Sequence, residues 1–389
     1  MIRSLLVVLA STAALAAQTL PVGFRDFPLR NRTSSGTPTL QARIYYPAQS
    51  AGQNAPVRQQ PGGYPVYVFC HGNGHPGNLY ISHGTLLAEN GFVCVLIDTA
   101  LSDSDLLYRD AVAHWVSLGA ESKDPQSVFF GAFDLQRAAV GGYSMGGISA
   151  MRALASDCGY RAGFAHAPSG GSWLGPGEFT KNKHPFAIAH GLGDTLIPWQ
   201  DAFQYWQNSK VYGGEKVFYL LNQEANHVNV ASVPTLKDQP IFDRVMRVFL
   251  GFLTVHLKGD ARGQDEVVGA AARAEPRLVA IHAEHEQPEF WVEQNGRDAS
   301  LRFSAQPGGL LLLASLQTSW HATAFGGLLL DPGSLRLVWS TEVGQAGFAR
   351  LDLAVPELAG LENWRLPLQA LAVNRDRDAR LTGLGFVTF

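Results

Sequence analysis

At 389 residues, 46% of them hydrophobic and 16% charged, the chain exceeds one ordinary domain and has ample apolar material for a core, which excludes a disordered or low-complexity protein. A net charge of -3 supplies no basic surface for nucleic acid and no electrostatic pull toward an anionic membrane. The three cysteines, Cys70, Cys94 and Cys158, are odd in number and lack metal-site spacing, so they read as small buried hydrophobes rather than a disulfide framework.

The chain opens as a processing segment. Arg3 supplies a positive start, Leu5 to Leu15 is almost unbroken apolar, and Ala14 to Ala17 offers small residues for cleavage. The run is too short to span a bilayer comfortably, so residues 1–17 are expected to be a signal peptide and the protein to be secreted, extracellular or periplasmic. Thr39 to Tyr46 then alternates as a strand, and a Gln-, Gly- and Pro-rich loop follows to Tyr64. Pro65 to Cys70 is continuously apolar, as in a strand buried on both faces, and runs straight into His71-Gly72-Asn73-Gly74. Tyr80 to Glu89 reads as a helix closed by Asn90-Gly91, and Phe92 to Asp98 as the next buried strand. An N-cap within Ser102 to Asp105 starts a helix reaching Leu118.

Ala138 to Ala155, AAVGGYSMGGISAMRALA, is a short apolar strand, a sharp turn with Ser144 at its apex, and a helix. Gly142 and Gly146 stand two residues either side of the serine, where strand and helix leave no room for side chains. Strands then recur at Ala162 to Ala167, Phe186 to Gly191 and Lys216 to Leu221, with an aromatic-rich helix from Trp199 to Trp206 before the last and a closing helix from Ile241 to Leu257. Strands alternating with helices imply a mostly parallel sheet covered on both sides. Beyond it, residues 261–296 read as a linker, and 297–389 as a C-terminal β-rich, sandwich-like domain with strands near 301–304, 309–315, 335–340, 349–355 and 366–373.

A serine hydroxyl needs a base to take its proton, and the base needs a carboxylate to fix its tautomer. The chain supplies both at strand ends. Asp194 follows the strand ending at Gly191, with Glu224 in reserve, and His227 follows the strand ending at Leu221. Catalytic Ser144, Asp194 and His227 are therefore expected to converge, while His166 and His190 sit at strand ends as core histidines and His71 braces its loop. The backbone N–H of Met145 and that of Asn73, in the loop after Cys70, are the expected oxyanion-hole donors. Trp173 and Trp199 are placed either to floor an acyl or aromatic subsite or to pack beneath their loops.

On HGNG at 71–74, LAENGFVCVLIDT at 87–99, GGYSMGG at 141–147, HGLGDTLIP at 190–198 and NQEANHVN at 222–229, residues 22–258 resemble the α/β-hydrolase superfamily. The branch they are similar to holds dienelactone-hydrolase-like proteins, platelet-activating-factor acetylhydrolases, chlorophyllase-like proteins and bacterial cutinases, including polyester hydrolases. The resemblance implies an α/β-hydrolase catalytic domain over 18–260 and hydrolysis of carboxylic esters through an acyl-enzyme, with no metal or organic cofactor. It implies a small-molecule, lipid or polyester substrate. Asn73 replaces the aromatic usual in polyester hydrolases at that loop position, and their C-terminal disulfide is missing, so a lipase-, cutinase- or polyesterase-like activity stays open among these substrates. The C-terminal segment resembles β-rich tails of secreted bacterial proteins and is expected to bind a surface or polymer, assist export, or stabilise the enzyme. A secreted serine peptidase uses the same triad, and a surface-binding protein with an inactive hydrolase domain is the rival of another class.

Overall fold

A computed structural model of the protein describes residues 19–169, 182, 184–209, 216–283, 289–304, 308–323, 326–343, 348–356, 364–374 and 379–389. The expected signal peptide and Trp173 lie outside the described residues.

The first strands are short: β1 (Val22–Asp26), β2 (Leu29–Arg30), β3 (Thr39–Leu40), β4 (Ala42–Pro47) and β5 (Gly52–Gln53). The strand expected over Thr39 to Tyr46 is thus broken at Gln41. The continuous apolar runs form β6 (Tyr64–Cys70), β7 (Val93–Ile97), β8 (Phe133–Tyr143), β9 (Ala162–His166), β10 (Phe186–Gly191) and β11 (Lys216–Leu221), each parallel to its neighbours among these six. Helices α1 (Ile81–Glu89), α2 (Ser104–Glu121), α3 (Met145–Ala155), α4 (Trp199–Asn208) and α5 (Gln239–Lys258) join or follow them. Asp103 caps α2 by accepting from the N–H of Asp105 at 3.0 Å and of Leu106 at 2.9 Å. Gly259 ends α5 at φ 67°, a conformation only glycine adopts without strain.

Because side chains alternate along a strand, β6 feeds two cores at once. Val66, Val68 and Cys70 pack under α2 and α3, whereas Tyr67 and Phe69 pack under α1 and α5. Each such fully buried side chain contributes roughly 1.5–3 kcal/mol of transfer free energy. The strand order from one edge is β5-β1-β4-β7-β6-β8-β9-β10-β11, with β4 antiparallel to both of its neighbours, β1 and β7. All six parallel strands therefore point their carboxyl ends at one rim, where loops from several strands converge.

The stretch 261–296, expected as a linker, instead carries α6 (Gln264–Val267), α7 (Ala270–Arg273), β12 (Leu278–Ala283) and β13 (Glu289–Asn295). The physical reason lies in β11, every residue of which is buried; its second edge must be paired, and β12 pairs with it antiparallel. The remaining strands are β14 (Asp298–Ser304), β15 (Gly308–Ala314), β16 (Thr318–Thr323), β17 (Gly326–Leu330), β18 (Arg336–Val343), β19 (Phe348–Ala354), β20 (Arg365–Asn374) and β21 (Ala379–Thr388). Through β12 the sheet continues as β21-β20-β15-β18, so the described residues form one mixed sheet of 14 strands. A separate sheet, β13-β14-β19, packs on this extension through Phe290, Val292, Leu301 and Phe303 against Leu310, Leu312, Leu368 and Ala370. The buried Arg244 of α5 fastens the junction, donating to the Tyr219 hydroxyl at 2.9 Å and to Glu266 at 2.6 Å. Among the described residues no helix is long and apolar enough to cross a membrane.

Candidate active site

Ser144 occupies the turn between β8 and α3 with φ 52° and ψ -119°, a strained conformation for a residue with a side chain. Its surroundings impose it. A Cβ at Gly146 would collide with the carbonyl oxygens of Cys70 and His71, and one at Gly142 with the Cys70 carbonyl. The Ser144 N–H donates to the His166 carbonyl at 3.0 Å, which ties the turn to the end of β9.

His227 Nε2 stands 2.9 Å from Ser144 Oγ, and His227 Nδ1 stands 2.7 Å from Asp194 Oδ2. With Nδ1–H donating to the carboxylate, Nε2 is left as the acceptor for the serine hydroxyl. Asp194 Oδ1 accepts from the N–H of Leu196 at 2.9 Å and of Ile197 at 2.8 Å, so both oxygens are engaged. Burial alone would raise the Asp194 carboxyl; the bonds from His227 and Ile197 outweigh it and hold the group below the usual carboxylate range. His190 lies behind, its Nε2 3.7 Å from Asp194 Oδ2, and burial pushes its pKa down to about 4 despite that carboxylate.

The loops that carry the acid and base are fixed by their own polar residues. Asn226 Oδ1 accepts from the N–H groups of Val228 and Asn229, both at 3.0 Å, and Asn229 Oδ1 accepts from Asn226 N–H at 2.8 Å. Buried Asn229 also donates through Nδ2 to the Glu224 carbonyl and to Asp238 Oδ1, each at 2.9 Å. Gly193 N–H donates to the Ala225 carbonyl at 2.9 Å, joining the Asp194 loop to the His227 loop. The His166 ring donates through Nδ1 to the Val230 carbonyl at 3.0 Å, joining the serine side to the histidine side.

Met145 is the first helical residue of α3, and its N–H has no intrahelical acceptor. Asn73 is exposed in the turn that leaves β6 beside Gly146. That turn is stapled in place. His71 Nε2 donates to the Thr99 carbonyl at 2.7 Å, Gly72 N–H to the Tyr80 hydroxyl at 3.1 Å, Gly74 N–H to the Leu101 carbonyl at 2.7 Å, and Gly77 N–H to Asp98 Oδ1 at 3.0 Å. The Tyr143 ring lies between, 5.0 Å from the His227 ring and 6.5 Å from that of His75.

Ser144, Asp194 and His227 are thus brought into one hydrogen-bonded chain, with Met145 beside it. Glu224 is not: it is exposed and paired with Arg277 at 2.9 Å. Trp199, expected as a subsite floor or as packing, is 6% exposed and lies against Phe203 and Phe218 at 5.7 and 6.4 Å, so packing is its role. Sequence reading missed Asn229, Tyr80 and Tyr143. Asn229 lies two residues after the base, and that proximity was the available signal. All three thiols are free, and among the described residues no group of three or more His, Cys, Asp or Glu stands ready to hold a metal ion. No family model matches the chain, and no curated protein matches it.

Proposed function

We propose that the protein is a secreted serine carboxylic ester hydrolase of the α/β-hydrolase type, with a smaller β-rich unit following the catalytic one. The carrying observation is the hydrogen-bonded chain Ser144–His227–Asp194 at 2.9 and 2.7 Å, set at the carboxyl ends of the parallel strands β8, β10 and β11. The strained serine turn between strand and helix supports the fold reading, and the leader-like start supports export.

In this reading His227 takes the Ser144 proton as the hydroxyl oxygen attacks the ester carbonyl. The amides of Met145 and Asn73 hold the oxyanion, whose stabilisation at such sites is worth roughly 3–4 kcal/mol per donor. His227 returns the proton to the leaving alcohol, leaving an acyl-serine. Water deprotonated by the same histidine then releases the acid. Asp194, kept ionised below the usual carboxylate range, stabilises the imidazolium in both halves.

The test is hydrolysis of p-nitrophenyl esters, from two-carbon to long acyl chains, by wild type and Ser144→Ala. Wild-type activity that drops about a thousandfold or more in the variant is expected. Two equally inert proteins across the whole series would overturn the assignment.

A further inference from the structure

One buried titratable side chain beside Asp194 takes no part in the steps at Ser144. His190 lies at the end of β10, on the face that carries Phe186 and Ile188, and its fully buried ring stacks on that of Phe218 at 6.5 Å. Its Nδ1 is engaged by the Gly191 backbone, with the N–H at 3.0 Å and the carbonyl at 3.2 Å. Its Nε2 has no hydrogen-bond partner and stands 3.7 Å from Asp194 Oδ2, both side chains being closed to solvent. A buried nitrogen without a partner costs free energy, so the group it faces governs its state.

A neutral imidazole carries its proton on one nitrogen only. The Gly191 N–H, the nearer of the two backbone groups, needs an acceptor at Nδ1. The Asp194 carboxylate repels a bare lone pair at Nε2 and attracts an N–H there. Both contacts favour the Nε2–H tautomer. Burial lowers the pKa of His190 to about 4, so near neutral pH the ring acts as a dipole and not as a charge. An ionised carboxylate offers about four acceptor positions. On Asp194, Leu196 and Ile197 engage Oδ1 and His227 engages Oδ2, which leaves one position on the oxygen that His190 faces. At 3.7 Å the Nε2–H is too distant for a hydrogen bond but near enough to act electrostatically in a dry site.

We propose that His190 is a positioning residue of the triad, whose Nε2–H beside Asp194 Oδ2 restrains the proton affinity of His227 and keeps that base neutral near pH 7. The inference rests on the reading of His227 as the general base. Its sign follows from the shared oxygen. Asp194 Oδ2 accepts from His227 Nδ1–H and favours the imidazolium; the positive end of a second N–H at the same oxygen offsets part of that pull and repels the imidazolium. The titratable groups acting on His190 are Asp194 and His227, from the loops after β10 and β11. Tyr143, at the end of β8 with its ring 5.0 Å from His227, is kept neutral by burial.

Heteronuclear NMR of the full chain, nitrogen-labelled at histidine and titrated through neutral pH, tests this in wild type, His190→Phe and His190→Gln. Wild type is expected to show His190 as the Nε2–H tautomer. His190→Phe keeps the ring stack and removes the donor, so the His227 midpoint should rise by about half a pH unit or more, a fraction of what a full charge does at such range. His190→Gln restores an N–H donor and should recover part of the difference. The acid limb of kcat/KM on the best p-nitrophenyl ester should move by the same amount. A purely structural role would lower the melting point and the plateau rate while leaving that midpoint in place. The Nδ1–H tautomer in wild type overturns the proposal, as does a His227 midpoint that His190→Phe leaves unchanged or lowers. A wild type inert toward every ester overturns the hydrolase reading alone, since the NMR titration needs no substrate. Should His190→Phe fail to fold by circular dichroism, the wild-type tautomer decides.

Discussion

Replacing His83 by phenylalanine should stabilise the protein, and more so at pH 5 than at pH 8. His83 is fully buried on α1, its ring 4.7 Å from that of Phe69, 5.0 Å from His166, 5.7 Å from Phe249, and 5.9 Å from both Tyr80 and Phe242. Neither ring nitrogen has a hydrogen-bond partner. Leaving a buried polar group unsatisfied costs about 1–3 kcal/mol, which phenylalanine removes, less what its slightly larger ring loses to tighter packing. A second contribution comes from the unfolded chain. Burial, and after it the neighbouring His166, holds His83 well below its ordinary 6.5, so the folded protein keeps the ring neutral while the unfolded chain protonates it. A depressed histidine therefore draws stability away as pH falls below about 6.5, and at pH 5 the loss is about 2 kcal/mol. Urea unfolding of both proteins at pH 8 and pH 5 measures the two parts separately. A gap favouring the variant by about 1 kcal/mol or more at pH 8 should widen by about 2 kcal/mol at pH 5. A gap that is absent, or that stays constant between the two pH values, refutes the reasoning.

Asp194→Asn keeps the shape of the site but presents an amide to His227 Nδ1, favouring the wrong tautomer; kcat on the best p-nitrophenyl ester should fall about 10⁴-fold with the thermal melting point little changed. Gly146→Ala drives a methyl group into the Cys70 and His71 carbonyls, so the variant should express insolubly or melt far below wild type in a thermal scan. Asn229→Ala strips the His227 loop of bonds to Glu224 and Asp238 and should cost about 1–3 kcal/mol in urea unfolding, with kcat reduced more than KM is raised.

What was legible in the sequence is what local chemistry determines. The strand, turn and helix around Ser144 follow from an apolar run, two glycines and a run of helix formers, and the structure places β8 and α3 there. Asp194 and His227 were readable because each lies in the loop that follows an apolar strand. The C-terminal strands expected near 309–315, 335–340, 349–355 and 366–373 correspond to β15, β18, β19 and β20. Pairing was not legible, because it is decided by distant partners. Nothing in Leu278–Ala283 announces that it closes the edge of β11, and the expected linker is where the sheet crosses into its second half. Trp199 was left between two roles for the same reason: its neighbour in sequence is the Asp194 loop, while its neighbours in space are Phe203 and Phe218.

The same distinction explains what holds Ser144, Asp194 and His227 in register. Each of these three side chains sits on a different loop, and loops left to solvent would not keep their atoms within hydrogen-bonding contact. Here the three loops are tied chiefly to one another: Ser144 N–H to the His166 carbonyl, the His166 ring to the Val230 carbonyl, Gly193 N–H to the Ala225 carbonyl. The glycines at 142, 146, 191 and 193 permit the approach, since a Cβ at any of them would strike backbone of a facing loop or turn. Displacing one loop therefore strains the other two, so the entropy of ordering the three side chains is met in folding.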